Sequence, residues 1–246
     1  MRIPLRPRLQ ACASLLPPCR TVADVGTDHG YLPVWLLKNG VCGRAIASDL
    51  RAGPLETARR NALRFGTAEQ TDFLCCDGLA AFAPGSFDAL ICAGMGGDCI
   101  AGILAAADWL RDPRYTLILQ PQSSGNDLRR WLGAQGFSIE RELLVRDGRF
   151  LYAALRASFG GGRPLRPGEQ FVSPALLREN DPLLPDYLAR LLRSLRATVA
   201  AIRRGVTEDD RRKYAYYSAA LEELQALPAA QALPCAAAGS EPSEIV

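Results

Sequence analysis

The chain has one histidine, His29, and only two lysines, Lys38 and Lys213, among its 29 Lys and Arg residues. It has no C-x-x-C pair, although it carries cysteines at 12, 19, 42, 75, 76, 92, 99 and 235. A single imidazole and no paired thiols leave the ligand spacing of a zinc site missing, so no metal is expected. Several thiols lie inside apolar runs, Phe73-Leu74-Cys75-Cys76 and Leu90-Ile91-Cys92, where free cysteine behaves as a small buried hydrophobe. Unpaired thiols fit a reducing cytoplasm. No uninterrupted apolar run of about 18 residues is present, and Met1 to Arg8 has no long apolar core behind its charges. Neither a membrane span nor a secretory signal is expected. The net charge of +3 is too small to announce a polyanion partner by itself, but charge carried on arginine forks suits phosphate. What remains is a globular profile: 48% hydrophobic residues over 246 positions excludes disorder as the main state and suits one domain with an appendage, or two small ones.

From residue 21 to about 157, short apolar runs alternate with amphipathic stretches, the pattern of a parallel sheet covered by helices. Strands are predicted over 21–25, 44–48, 71–75, 87–92 and 115–120, and helices over 31–39, 54–65, 98–107 and 125–135. Asn39-Gly40 and Phe65-Gly66 read as helix stops. The runs 137–145 and 149–156 flank Asp147-Gly148 and predict an antiparallel hairpin. A five-stranded parallel sheet closed by such a hairpin is the α/β, Rossmann-like layout of class I S-adenosylmethionine-dependent methyltransferases, assigned to residues 1–157. Gly160-Gly161-Gly162, Pro164, Pro167 and Gly168 mark residues 158–172 as a linker. Leu188, Leu192, Leu195, Val199, Ile202 and Val206 then form a heptad stripe. Thr207, with Asp210 three residues on, offers a cap for a second helix whose apolar face is expected at Tyr214, Tyr217, Leu221 and Leu224. Residues 173–228 are thus expected as an α-helical coiled-coil hairpin, and 229–246, rich in alanine, as a disordered tail.

The strongest local signal is Asp24-Val25-Gly26-Thr27-Asp28-His29-Gly30 at the first strand-to-helix junction. Glycine there lets the backbone approach a ligand, and an open helix N-terminus supplies amides. The order is not G-x-G-x-x-G, so the dinucleotide fingerprint fails. It fits the acidic-x-Gly-x-x-x-Gly loop of a methyltransferase, in which Asp24 or Asp28 would hold the ammonium of the cofactor's methionine end. The plainer alternative is a strand-to-helix turn with an aspartate cap. Asp49, closing the second strand, suits the ribose hydroxyls of an adenosyl group, and Asp77-Gly78 closes the third strand where the adenine ring would lie. Ala93-Gly94-Met95-Gly96-Gly97 follows the fourth strand, where this fold class places its reacting atoms. The Asn/Asp-Pro-Pro-Tyr motif of adenine-N6 enzymes is absent there, and the carbonyls of Ala93 and Gly94 could accept from an exocyclic amine. Gln120, ending the fifth strand, is a candidate for the substrate side. His29 is a candidate general base or a ligand-orienting group, and Asn61 is either an exposed amide or a functional one.

Taken in order, Ala23 to Pro33, Ala47-Ser48-Asp49 with Gly53-Pro54-Leu55, Asp77-Gly78-Leu79, Ala93 to Gly97 and Ile118-Leu119-Gln120-Pro121 resemble the bacterial tRNA (adenine-N1)-methyltransferase family, TrmK, over residues 5 to about 155. The resemblance implies methyl transfer from S-adenosylmethionine to N1 of an adenine in the D arm of tRNA, position 22 in that family. It implies cofactor contacts at Asp24, Gly26, Asp28, His29, Gly30, Asp49, Asp77, Gly78, Ala93, Gly94 and Met95. Substrate contacts would fall at Arg6, Arg8, Asn61, Gly96, Gly97 and Gln120, with Asp28 or His29 orienting the base or easing loss of a proton from the cationic product. A C-terminal coiled-coil hairpin also belongs to that family. Arginines 190, 193, 196, 203 and 204 on the arm would grip phosphate, or the arm would serve dimerisation, leaving a monomer or weak dimer. Two other readings stay open on the residues alone: a methyltransferase for a small molecule or protein with the coiled coil as oligomerisation element, and a non-catalytic S-adenosylmethionine-binding protein.

Overall fold

The computed structural model describes residues 3–203, 205 and 207–231. Seven strands form one sheet in the order β3-β2-β1-β4-β5-β7-β6: β1 Cys19–Val25, β2 Cys42–Asp49, β3 Thr71–Cys75, β4 Ala89–Gly96, β5 Thr116–Ser123, β6 Phe137–Asp147 and β7 Phe150–Phe159. β1 to β5 pair in parallel, and β7 pairs antiparallel to both β5 and β6. The order reverses between β1 and β4, and in an open α/β sheet a ligand crevice forms at the carboxyl ends of the strands at that point.

Alternation along the central strands sorts side chains to two faces. Val22, Ala45, Ile91, Ile118 and Ala154 pack against α1 (Pro7–Leu15) and α2 (Tyr31–Lys38). Ala23, Leu90, Cys92, Leu117, Leu119 and Leu155 pack against α4 (Gly97–Ala105) and α5 (Gly125–Ala134). α3 (Ala52–Phe65) lays Ala62 and Phe65 against Val34. The predicted strands and helices of this half are all present, with ends moved by a few residues. β4 runs on through Gly96 because Ala93, Met95 and Gly96 still pair with β5 across register shifts. Helix α1 has no counterpart among the predicted elements; its signal is Pro7 at the first helical position, where a missing N–H costs nothing.

The stretch 158–172 is held to the sheet domain along its length. Gly160 and Gly162 donate backbone hydrogen bonds to the Gly136 carbonyl, and residues 167–171 form a short helix, α6 (Pro167–Phe171). α7 (Pro174–Glu179), α8 (Leu184–Ile202), α9 (Glu208–Gln225) and α10 (Pro228–Gln231) follow. Thr207 caps α9: its hydroxyl accepts from the Asp210 amide while the Asp210 carboxylate accepts from the Thr207 amide. Leu188, Leu192 and Leu195 of the α8 stripe are buried with Ala220 and Leu224 of α9, and the same cluster takes in Leu144 and Ala153 of the hairpin. Val199 and Ile202 are only half-buried and lie outside that cluster. Leu191, off the stripe, is buried too. On α9, Tyr217, Leu221 and Leu224 of the expected face turn to the cluster, joined by Tyr216 and Ala220, while Tyr214 is exposed. Val206, Arg204, Cys235 and tail residues 232–246 lie outside the described residues.

One buried ion pair ties the two halves together. Arg129 of α5 donates to both carboxylate oxygens of Glu142 on β6 and to the Gln170 carbonyl, while the Ser173 hydroxyl donates to Glu142. Arg129 and Glu142 are essentially without solvent exposure. No helix among the described residues is long and apolar enough to cross a membrane.

Candidate functional site

At the carboxyl ends of β1, β2 and β4 lies a cavity of about 670 Å³, roofed by the start of α1. Asp24 sits on its floor. The Thr27 hydroxyl donates to its carboxylate at 2.6 Å. Burial pushes the Asp24 carboxyl up to about 6, the Thr27 hydrogen bond opposes that, and the neighbouring Asp49 charge adds to it. Asp49 ends β2, with one oxygen accepting from the Arg51 amide at 3.0 Å and the other from the Asp28 amide at 3.4 Å. These bonds fix the carboxylate and leave lone pairs free toward the cavity.

The loop between β1 and α2 is built on two left-handed glycines. Gly26 has φ +74°, and a side chain there would meet the Met95 methyl at 2.7 Å. Gly30 has φ +69° and packs directly on Ala58. Asp28, between them, also adopts φ +53°. The Asp28 and His29 side chains are 67% and 56% exposed, with Nε2 of His29 3.6 Å from the Asp28 carboxylate. They stand at the mouth, not the floor. Asn61 is buried and donates to the His29 carbonyl at 2.8 Å. It therefore braces the loop from behind.

On the opposite wall, β4 breaks its register with β5 between Ala93 and Met95, and Gly94 turns to φ +82°. The buried Gln120 side chain accepts from the Gly94 amide at 3.2 Å and from the Arg8 guanidinium at 3.5 Å, and donates to the Pro121 carbonyl. Arg8 lies so close over Gly94 that a methyl group on the latter would stand 2.6 Å from Nη1. Nε of Arg8 is 3.5 Å from Asp147 at the end of β6. Arg6 and Arg8 both line the cavity.

Of the residues singled out from sequence, Arg6, Arg8, Asp24, Gly26, Asp28, His29, Asp49, Ala93, Gly94 and Met95 meet around this cavity. Gly30, Asn61 and Gln120 stand behind its wall. Gly97 is buried where α4 begins, and the Ser124 carbonyl occupies the space a side chain would need. Gly96 likewise faces the Ser123 hydroxyl. Asp77 is exposed just past β3, and Gly78 packs under Ile103. The structure adds Thr27, Tyr31, Arg51 and Leu9. Arg51 follows closely on Asp49, and Leu9 comes with the unpredicted helix α1, of whose roof only Arg6 and Arg8 are expected from sequence. No group of three His, Cys, Asp or Glu among the described residues could hold a metal ion.

A methyltransferase-domain family model matches residues 5–155. A curated tRNA (adenine(22)-N(1))-methyltransferase of Bacillus subtilis is 32% identical over 183 residues, covering 72% of this chain and 76% of that protein. This chain belongs to the TrmK family of tRNA (adenine-N1)-methyltransferases. The crystal structure of B. subtilis TrmK superposes with a TM-score of 0.80 at 29% identity, covering 91% of this chain and 98% of that one. A putative tRNA (m1A22) methyltransferase of Streptococcus pneumoniae, solved in complex with S-adenosyl-L-methionine, superposes with a TM-score of 0.73 at 29% identity over 87% of this chain and 98% of that one. The TrmK likeness thus extends past the methyltransferase domain into the C-terminal helices.

Proposed function

We propose that this chain transfers a methyl group from S-adenosylmethionine to N1 of an adenine in the D arm of tRNA, position 22 by its family. The observation that carries the cofactor assignment is the pairing of two fixed carboxylates at one switch-point cavity. Asp24 on the floor suits an ammonium, and Asp49 at the end of β2 suits vicinal hydroxyls. Gly26 and Gly94, without side chains, let the Met95 methyl and the Arg8 guanidinium close in on the loop and on the β4 wall. The donor set fits the cofactor's amino-acid and ribose ends, with Asp77-Gly78 beyond β3 on the adenine side. When bound, S-adenosylmethionine supplies an activated electrophilic methyl.

The remaining work is placement. Neutral adenine N1 carries its own lone pair, so the reaction needs no strong base, and positioning alone is worth several kcal/mol, of order 7 or more in well-oriented cases. N1 lies on the pairing edge, so the base must be unpaired or flipped, at about a few kcal/mol. The Gly94 bulge, held by Gln120, lets the Arg8 guanidinium lie over β4's wall where the base enters. Arg6 and Arg8 at the entrance suit the phosphates on either side of it. Asp28 and His29, exposed at the mouth, orient the base and take up the amine proton that the cationic product can lose.

We place residues 173–228 as a coiled-coil arm on the RNA side, supported by the buried Leu188, Leu192 and Leu195 and by the exposed Arg193, Arg196 and Arg203. A reaction on tRNA and the unpaired thiols among the described residues suit the cytoplasm. A tRNA transcript should gain one methyl group, on its D-arm adenine. The same transcript with guanine at that position should gain none, and equal labelling of both would refute the assignment.

A further inference from the structure

A second cavity, of about 310 Å³, lies on the other side of the β4–β5 pair. Its walls come from the turn into α5 (Ser123 to Asp127), the hairpin strand β7 (Tyr152) and the helices α8 and α9 (Tyr187, Ser194, Thr198, Tyr217). No sequence motif points to it, because it exists only where the two halves of the chain meet.

Its position relates it to the methyl-transfer edge. Met95 lines the cofactor cavity, and its partner across the ladder, Pro121, lines the second one. Neighbouring strands are about 4.8 Å apart, so the two cavities are next to each other along the carboxyl edge. Gly96 and Gly97 belong to this arrangement. By having no side chains they let Ser123 and Ser124 press in against the start of α4, and those two serines line the second cavity.

Its chemistry is that of a base site. A volume near 300 Å³ is at the small end of ligand sites, enough for a nucleobase and too small for a helix. Three tyrosines offer flat rings, and Ser124, Asn126, Ser194 and Thr198 offer hydroxyl and amide groups. Inside, charge is cancelled: Arg129 is paired with Glu142 and Asp127 with Arg130 at 2.7 Å. Around it, Arg149 on the hairpin turn is exposed. A neutral aromatic interior with an exposed arginine nearby suits a stacked base within and its phosphate outside.

We propose that this cavity holds an unpaired nucleobase of the RNA beside the adenine being methylated, so that the catalytic fold and the C-terminal helices together recognise the strand. This rests on the tRNA reading above. Ser194 is exposed at the cavity, away from the cofactor residues, so Ser194→Trp fills the site without touching them. Its KM for tRNA should rise about tenfold or more, with melting temperature and S-adenosylmethionine affinity unchanged. A direct readout uses transcripts carrying 2-aminopurine at single positions flanking the target. One position should lose fluorescence on binding the wild-type chain, through stacking, and keep it with Ser194→Trp. Tyr152→Ala should give the same pattern, so the claim does not hang on one variant. Formation of 1-methyladenosine by the wild-type chain, with unchanged KM and identical 2-aminopurine responses in both variants, would overturn this inference alone. Failure of the wild-type chain to form 1-methyladenosine would overturn the tRNA reading and this one with it.

Discussion

Asp24 is buried, and its carboxyl is pushed up to about 6 chiefly by burial. Its ordinary value is near 3.9, so folding with a charged Asp24 carries a cost above pH 6. That cost is relieved as the pH falls from about 6 toward 4, where the folded state binds the extra proton. A cationic ligand reverses the preference by pairing with the carboxylate. Affinity for S-adenosylmethionine should therefore be flat from pH 7.5 down to about 6.5 and weaken by up to about tenfold per unit below 6. Titration calorimetry across that range checks this. Asp24→Asn should bind weakly and without the acid limb, and an unchanged limb in that variant would assign the proton elsewhere. The roles expected of Asp24, Asp49 and Gly26 can be read from the sequence because each depends on a residue type at a strand end. Asn61 and Gln120 cannot be placed that way, since both are buried amides that brace backbone from across the fold.

The elements of the sheet domain are legible for a simple reason: buried parallel strands are short apolar runs, and their covering helices have one apolar face. Helix α1 is hidden because it is short and has prolines and arginines around its start. The C-terminal elements are harder to read. Leu188, Leu192 and Leu195 announce a helix seam, but they give no sign that the hairpin residues Leu144 and Ala153 share it. Nor does any local pattern pair Arg129 with Glu142, thirteen residues apart on different elements. That pair is the clearest stability test at this scale. Arg129→Met leaves a buried carboxylate uncompensated and should cost about 3–5 kcal/mol. Arg129→Met with Glu142→Leu should recover most of it, apart from the lost Gln170 and Ser173 bonds. Denaturant unfolding of the three chains decides this, and equal losses in the single and double variants would mean that packing, not charge, sets the cost.

At the scale of the whole molecule, we propose that the two cavities and the arm face one substrate, the tRNA. The net charge of +3 hides this because acidic side chains offset the arginines locally, as in the Arg146–Asp186 and Arg212–Glu208 pairs. Arg193 and Arg196 are exposed on α8, and Arg203 is exposed at its end. If they reach phosphates, replacing all three by glutamine should make the slope of log affinity against log salt shallower by about two to three, at roughly 0.7–0.9 for each phosphate no longer neutralised. A parallel shift with no change of slope would leave the arm out of the RNA interface.

The central claim is the reaction itself. The purified chain should be incubated with labelled S-adenosylmethionine and unmodified bulk tRNA, the RNA digested to nucleosides, and the methylated product identified by mass and retention. The account predicts 1-methyladenosine as the labelled nucleoside, and label in any other nucleoside, or none with the cofactor bound, would contradict it.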